Sequence, residues 1–169
     1  MKKYLCAALC IAVLLAFAGC RGTAAVDPSR PVVSMFDLSE AMNAAHASSA
    51  EMSYTSSSEK DAADKLAYVS DIDYSKVEAF FISYAKEGKG NADEIVVIAL
   101  KDAADAREAE DSLTAHVESR INLYSTYDPG QVPALKKAVI FSEAQYAVLI
   151  VSENAAEVEK AFRDFIANN

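Results

Sequence analysis

The sequence predicts an α+β domain with a four-stranded, mainly antiparallel sheet built from two ββα units. Four segments are rich in β-branched and aromatic residues, which is typical of strands. Two later segments carry an apolar stripe at three- and four-residue spacing, which is typical of amphipathic helices. The segment that starts at Val96 also resembles the one that starts at Val148, because each runs from an apolar strand into a polar capping residue and two alanines.

The N-terminal part of this domain is predicted to contain two helices and a loop. Apolar residues recur at helical spacing from Asp37 to Ala47, and Asp37 with Glu40 would form the N-terminal capping pair. The stretch of residues 48–58 has no period and many hydroxyl groups, which predicts a loop. A short helix is expected over residues 59–68.

The first ββα unit is predicted from residue 76 onwards. Strands are expected over residues 76–85 and 94–100, with a glycine-containing hairpin loop between them. A long helix begins after Asp102 and ends near Tyr127, because Asp128-Pro129-Gly130 breaks a helix. Its apolar stripe consists of Ala106, Ala109, Leu113, Val117, Ile121 and Tyr124.

The second ββα unit occupies the C-terminal part of the chain. A turn or short helix over residues 132–137 leads into strands over residues 138–142 and 146–152. The closing helix has an apolar stripe formed by Val158, Ala161, Phe162, Phe165 and Ile166.

The apolar character of the central strands predicts helices on both faces of the sheet. Residues 94–100 and 146–151 are apolar on both sides, whereas a sheet with one face in water alternates apolar and polar residues. We expect the helices of the two ββα units on one face and the N-terminal helices on the other. A dimer that buries two sheet faces together is the alternative.

The N-terminus has the pattern of an export signal. Lys2 and Lys3 precede an uncharged apolar run that ends at Ala18, and this run is too short to span a membrane as a helix. Residues Phe17–Cys20 (FAGC), which overlap the end of this run, resemble the lipobox of bacterial lipoproteins. This resemblance implies a diacylglyceryl group on the Cys20 thiol and cleavage just before it. Residues 16–18 also fit ordinary signal peptidase, which would leave Cys20 as a free thiol.

These signals predict three parts of the chain. Residues 1–19 form a lipoprotein signal peptide, residues 20–33 form a lipidated Cys20 and a flexible tether, and residues 34–169 form a single α+β domain. Cys6 and Cys10 lie inside the signal, so Cys20 has no disulfide partner afterwards. The formal net charge of −9 repels phosphate groups, which excludes nucleic acid as a partner.

The body of the chain also resembles a known family. Its segments "NADEIVVIALKDAADAREAEDSL", "STYDPG" and "AQYAVLIVSENAAEVEKAF" are similar to a domain of unknown function that is found in lipoproteins of Gram-positive anaerobes. The likeness covers approximately residues 35–165. It implies an envelope lipoprotein, and it implies no activity and no site residues.

No motif in the sequence assigns a residue to catalysis or to metal binding. His46 and His116 have no neighbours at metal-ligand spacing, and both are expected to be helix-borne or solvent-facing. The serine–lysine matches that start at Ser57 and Ser83 lack the companion motifs of penicillin-interacting enzymes. Asp71 and Asp73 could supply calcium ligands, but an acidic turn before a strand accounts for them as well. No cofactor is predicted.

We therefore predict an extracytoplasmic lipoprotein that is held at the membrane through lipidated Cys20. Its domain is expected to bind an envelope protein or a wall component without catalysing a reaction. The chain has eight tyrosines and no tryptophan, which suits a binding surface or the edges of a core. The alternatives are a cell-envelope hydrolase with an unrecognised site and a structural subunit that forms a homodimer.

Overall fold

The computed structural model describes residues 31–47, 50–86 and 91–169. The predicted signal peptide, Cys20 and most of the predicted tether lie outside the described residues. The described part contains five strands in one open sheet, with the spatial order β1-β2-β3-β5-β4 and every neighbouring pair antiparallel. They are β1 (Met52–Ser56), β2 (Val77–Ala85), β3 (Glu94–Leu100), β4 (Val139–Glu143) and β5 (Tyr146–Val151).

The described residues also form five α-helices, which connect or flank these strands. They are α1 (Met35–Ala45), α2 (Ala62–Leu66), α3 (Ala106–Tyr127), α4 (Val132–Leu135) and α5 (Ala155–Asn168). Helix α1 begins before the predicted capping pair, because the Ser34 side chain accepts a hydrogen bond from the Asp37 N–H and is the N-cap. Helix α3 ends at Tyr127 as predicted, directly before Asp128 and Pro129.

The prediction of four strands is wrong, because β1 forms within residues 48–58, where the sequence predicted a loop. Strand β1 pairs along its whole length with β2, in a register that places Met52 opposite Ala85. Its strand conformation therefore comes from pairing with a neighbour, and local pattern gives little sign of it. Thr55 and Ser56 tolerate burial because the Glu59 carboxylate accepts hydrogen bonds from the Thr55 hydroxyl and the Ser56 N–H.

Helices cover both faces of the sheet, but their distribution differs from the prediction. We name the face under α2, α3 and α4 the first face, and the face under α1 and α5 the second face. The sequence placed α3 and α5 together and α2 with α1, and the structure exchanges α2 and α5. The second face is closed within one chain, so the sheet does not need a dimer to cover it.

The path of the chain explains the position of α5. Strands β3 and β4 are parallel with β5 between them, so α3 is a crossover that must lie on one face. Helix α5 follows the last strand and makes no such connection, so it is free to cover the face that α3 leaves open. Its Phe162 packs edge-to-face against Phe141 and Tyr146 on that face, with ring centroids 5.5 and 5.8 Å apart.

The turn between β4 and β5 contains a strained residue that gives a first prediction. Ala144 has a φ of 50°, a left-handed conformation that costs an alanine about 1 kcal/mol and a glycine almost nothing. We expect Ala144→Gly to leave the free energy of unfolding unchanged or raise it by up to about 1 kcal/mol. We expect Ala144→Val to lower it by about 1–2 kcal/mol, since a β-branched side chain crowds this conformation further.

Urea unfolding of the two variants and the wild type measures the difference. A valine variant as stable as the glycine variant would contradict the left-handed turn at Ala144.

Candidate functional site

Buried polar side chains gather at the end of the sheet where β3 begins and β5 ends. Asp93 directly precedes β3 and Glu94 is its first residue, and their side chains lie on opposite faces of the sheet. Each carboxylate meets one of the two histidines of the chain: Asp93 meets His46 on the second face, and Glu94 meets His116 on the first face. The site therefore has two halves that are separated by the sheet.

The half on the second face is a network that we name the histidine cluster, formed by His46, Asp93, Ser152 and Asn154. His46 is the C-cap of α1, Ser152 follows β5, and Asn154 is the N-cap of α5. The Nδ1 atom of His46 lies 2.8 Å from the Ser152 hydroxyl oxygen. Its Nε2 atom lies 3.4 Å from a carboxylate oxygen of Asp93, and the His46 side chain is only 3% exposed.

Backbone contacts fix the direction of the hydrogen bonds in this cluster. The amide oxygen of Asn154 accepts from the Ala47 N–H at 2.9 Å, and its amide nitrogen donates to the Ala45 carbonyl at 2.6 Å. The Ser152 hydroxyl lies 2.8 Å from that amide oxygen, which can only accept, so the hydroxyl proton is donated to Asn154. The Nδ1 of His46, beside the same hydroxyl oxygen, must then carry a proton and donate it.

This direction decides what the cluster can do chemically. A serine, a histidine and an aspartate in contact are the residue types of a hydrolase triad, in which the histidine removes the proton of the serine. Here the histidine nitrogen that faces Ser152 already holds a proton, and the serine donates to Asn154 instead. The arrangement ties the ends of α1 and α5 to the sheet.

An open cavity lies elsewhere, between α1 and the C-terminal end of α5. It is lined by Ala41, Ala161, Asp164, Phe165, Asn168 and Asn169. No member of the histidine cluster lines this cavity, so it offers no substrate site beside Ser152.

The half on the first face is an ion-pair network formed by Glu94, His116 and Arg120. One carboxylate oxygen of Glu94 lies 2.9 Å from His116 Nε2 and 2.8 Å from Arg120 Nη1. The Glu94 side chain is 8% exposed, and the two basic side chains stand one turn apart on α3. The Arg120 guanidinium also lies over the ring of Tyr124, 5.5 Å from its centroid. A buried carboxylate needs such partners, so this half holds α3 on the sheet.

Neither half was predicted from the sequence. The sequence predicts helix-borne or solvent-facing histidines, and His116 does lie on a helix, but both rings are largely buried against carboxylates. The sequence feature that could have indicated both halves is the pair Asp93-Glu94 at the N-terminal end of an apolar strand. Two adjacent acidic residues at this place face opposite layers of helices.

The other residues that the sequence analysis considered have structural roles in the described part. Ser83 is buried in β2 and accepts a hydrogen bond from the Asn43 amide at 2.9 Å, and Lys86 forms an ion pair with Glu51. The match that starts at Ser57 lies in the turn between β1 and α2.

The acidic turn before β2 forms a cap. The Asp73 carboxylate accepts a hydrogen bond from the Ser75 N–H at 2.8 Å, and this bond, with one from the Ser75 side chain, lowers the pKa of Asp73. Hydrogen bonds to Glu108 and Asp105 raise the pKa of Lys76 in the same segment. Within residues 31–47, 50–86 and 91–169, no group of three or more histidine, cysteine, aspartate or glutamate residues is placed to hold a metal ion.

Comparison with known families identifies the central part of the chain. A family described as a domain of unknown function (DUF4358) matches residues 50–152, which is more than half of the chain. The chain belongs to this family. The match confirms the predicted resemblance to a domain of unknown function, and it spans β1 to β5 with the helices of the first face. Helices α1 and α5 flank the matched range. Neither a curated protein nor a solved structure matches the DUF4358 chain.

The histidine cluster predicts that its hydrogen bonds contribute to the stability of the fold. Ser152→Ala removes the hydroxyl that both His46 and Asn154 contact, and a buried polar group left without a partner costs about 1–3 kcal/mol. We expect the free energy of unfolding to fall by about that amount.

The matched control is Ser125→Ala. The Ser125 hydroxyl donates only to the Ile121 carbonyl on the exposed side of α3, so we expect a change within about 0.5 kcal/mol. Denaturant unfolding compares the two variants, and equal stability of both would contradict the role of the cluster.

Proposed function

We propose that this protein is a membrane-anchored extracytoplasmic lipoprotein whose DUF4358 domain is a non-enzymatic binding module. The observation that carries the proposal is the sequence Phe17–Cys20, which ends an apolar segment after two lysines. Acylation of Cys20 would hold the chain at the membrane, since two acyl chains anchor a protein stably where one binds marginally.

The charge of the chain supports this arrangement. The net charge of −9 favours a domain that stands off anionic headgroups, held by a tether over residues 20–33. Among the described residues, no helix is long and apolar enough to cross a bilayer.

Exposed aromatic side chains support a binding role. Tyr68 and Tyr127 are each 79% exposed, and Phe36 is 57% exposed, although the sheet has ample helix cover on both faces. Tyrosine and phenylalanine are enriched in the contact surfaces of complexes. An envelope protein or a wall component is the proposed partner, and the direction of the Ser152 and His46 hydrogen bonds favours binding over hydrolysis.

Radiolabelled palmitate tests the anchor. We expect the full chain to incorporate the label in its native host and Cys20→Ser to lose it, because the thiol at residue 20 is the acceptor. Cys10→Ser is the matched control and should keep the label, since Cys10 lies inside the predicted signal peptide. Equal labelling of wild type and Cys20→Ser would contradict the proposal.

A further inference from the structure

The strand β1 leaves hydrogen-bonding groups open at the edge of the sheet. The Lys86 N–H donates to the Glu51 carbonyl and the Ser57 N–H donates to the Phe80 carbonyl. Because bonded and non-bonded pairs alternate in an antiparallel ladder, the backbone groups of residues 52, 54 and 56 point away from β2. Glu59 closes the last of these positions, since its carboxylate accepts from the Ser56 N–H and its own N–H donates to the Ser56 carbonyl.

Two residues at this edge therefore keep outward-pointing backbone groups. Met52 and Tyr54 present two N–H groups and two carbonyl groups outward, and the described residues place no partner on them. A peptide in extended conformation can satisfy all four groups as an added antiparallel strand.

The opposite edge of the sheet is protected. Arg163 of α5 forms an ion pair with Glu143 of β4, and its guanidinium lies over Phe141, 4.7 Å from the ring centroid. Charged side chains on an edge strand discourage pairing with another chain. The residues Met52–Ser56 of β1 carry no charge, so only this edge has the composition of an acceptor among the described strands.

An exposed aromatic pair stands beside the open edge. The Phe36 ring of α1 packs edge-to-face on Tyr54 with centroids 6.1 Å apart, and Tyr54 stacks on the buried Phe81 at 6.3 Å. Phe36 is 57% exposed and Tyr54 is 40% exposed. Met52 lies two residues from Tyr54 and shares its side of the sheet, so an added strand would meet an apolar surface next to the free backbone groups.

The charges around this surface select the partner. Asp37 and Glu40 are exposed on α1 beside Phe36, and Glu51 and Glu59 flank the strand at its two ends. Among the described residues, Lys86 forms an ion pair with Glu51. With a net charge of −9 on the whole chain, this surface attracts a basic segment and repels a second acidic copy of itself.

We propose that the β1 edge, together with the Phe36–Tyr54 pair, binds an extended basic peptide segment of a partner protein as a sixth strand. The backbone groups of Met52 and Tyr54 bind the main chain of the partner, the aromatic pair receives an apolar side chain, and the carboxylates attract lysine or arginine. This inference rests on the binding role proposed above and names the surface and the partner class.

The test uses a capped synthetic peptide of alternating lysine and valine, and a twin in which glutamate replaces lysine. NMR titration of the full chain in detergent should show binding of the basic peptide, with slowed amide exchange at Met52 and Tyr54. The acidic twin should bind at least about tenfold more weakly. Tyr54→Pro should weaken binding at least about tenfold, because proline removes an outward N–H and leaves the bonds of β1 to β2 in place.

An N-methylated peptide tests the same backbone contacts on the wild-type protein, so the result does not depend on the stability of Tyr54→Pro. The basic peptide with N-methyl groups on the amides of one edge cannot donate to β1, and it should lose binding to the wild-type protein at least about tenfold. Equal binding of the methylated and unmethylated peptides, equal binding of the basic and acidic peptides, or no binding of either would overturn the inference. So would a dimer in light scattering that Tyr54→Pro abolishes. Palmitate labelling of Cys20 is a separate measurement, so these results leave the proposed anchor standing.

Discussion

The burial of β3 and β5 on both faces is the constraint on which the rest of this structure depends. Every residue of these two strands is buried, so the sheet is stable only when helices cover both sides. Helices α2, α3 and α4 meet this need on the first face, and α1 with α5 on the second. The family match covers residues 50–152 and stops short of α1 and α5, so half of the cover comes from segments that flank the matched domain.

The two polar clusters serve the same constraint from the end of the sheet. Asp93 and Glu94 reach opposite faces. On the second face Ser152 and Asn154 hold the end of α1 beside Asp93. On the first face Glu94 holds α3 through His116 and Arg120. The residue types on the second face are those of a hydrolase triad, whereas the hydrogen-bond direction around Ser152 favours a structural network. Helices cover both faces of the sheet, and Arg163 covers the β4 edge through its ion pair with Glu143. We therefore infer that a partner binds at the β1 edge and its aromatic pair.

The sequence predicts the parts of this fold that have a local cause. The apolar runs of β3 and β5, the stripe of α3 and its end before Pro129 were all readable from residue pattern. Strand β1 was not, because its hydroxyl-rich sequence becomes a strand only by pairing with β2. The face of α5 depends on the crossover of α3, and the contact of His46 with Asp93 joins residues far apart in the chain. Neither relation leaves a periodic signal.

A comparison of Leu38→Ala and Leu113→Ala tests the central claim most directly, because these fully buried residues lie on the second and the first face of one sheet. If both faces form one core, each substitution should lower the free energy of unfolding by about 2–5 kcal/mol. Circular dichroism and tyrosine fluorescence should then follow one coincident transition in each variant. A Leu38→Ala protein with unchanged stability, or one in which α1 melts in a separate transition, would contradict the account.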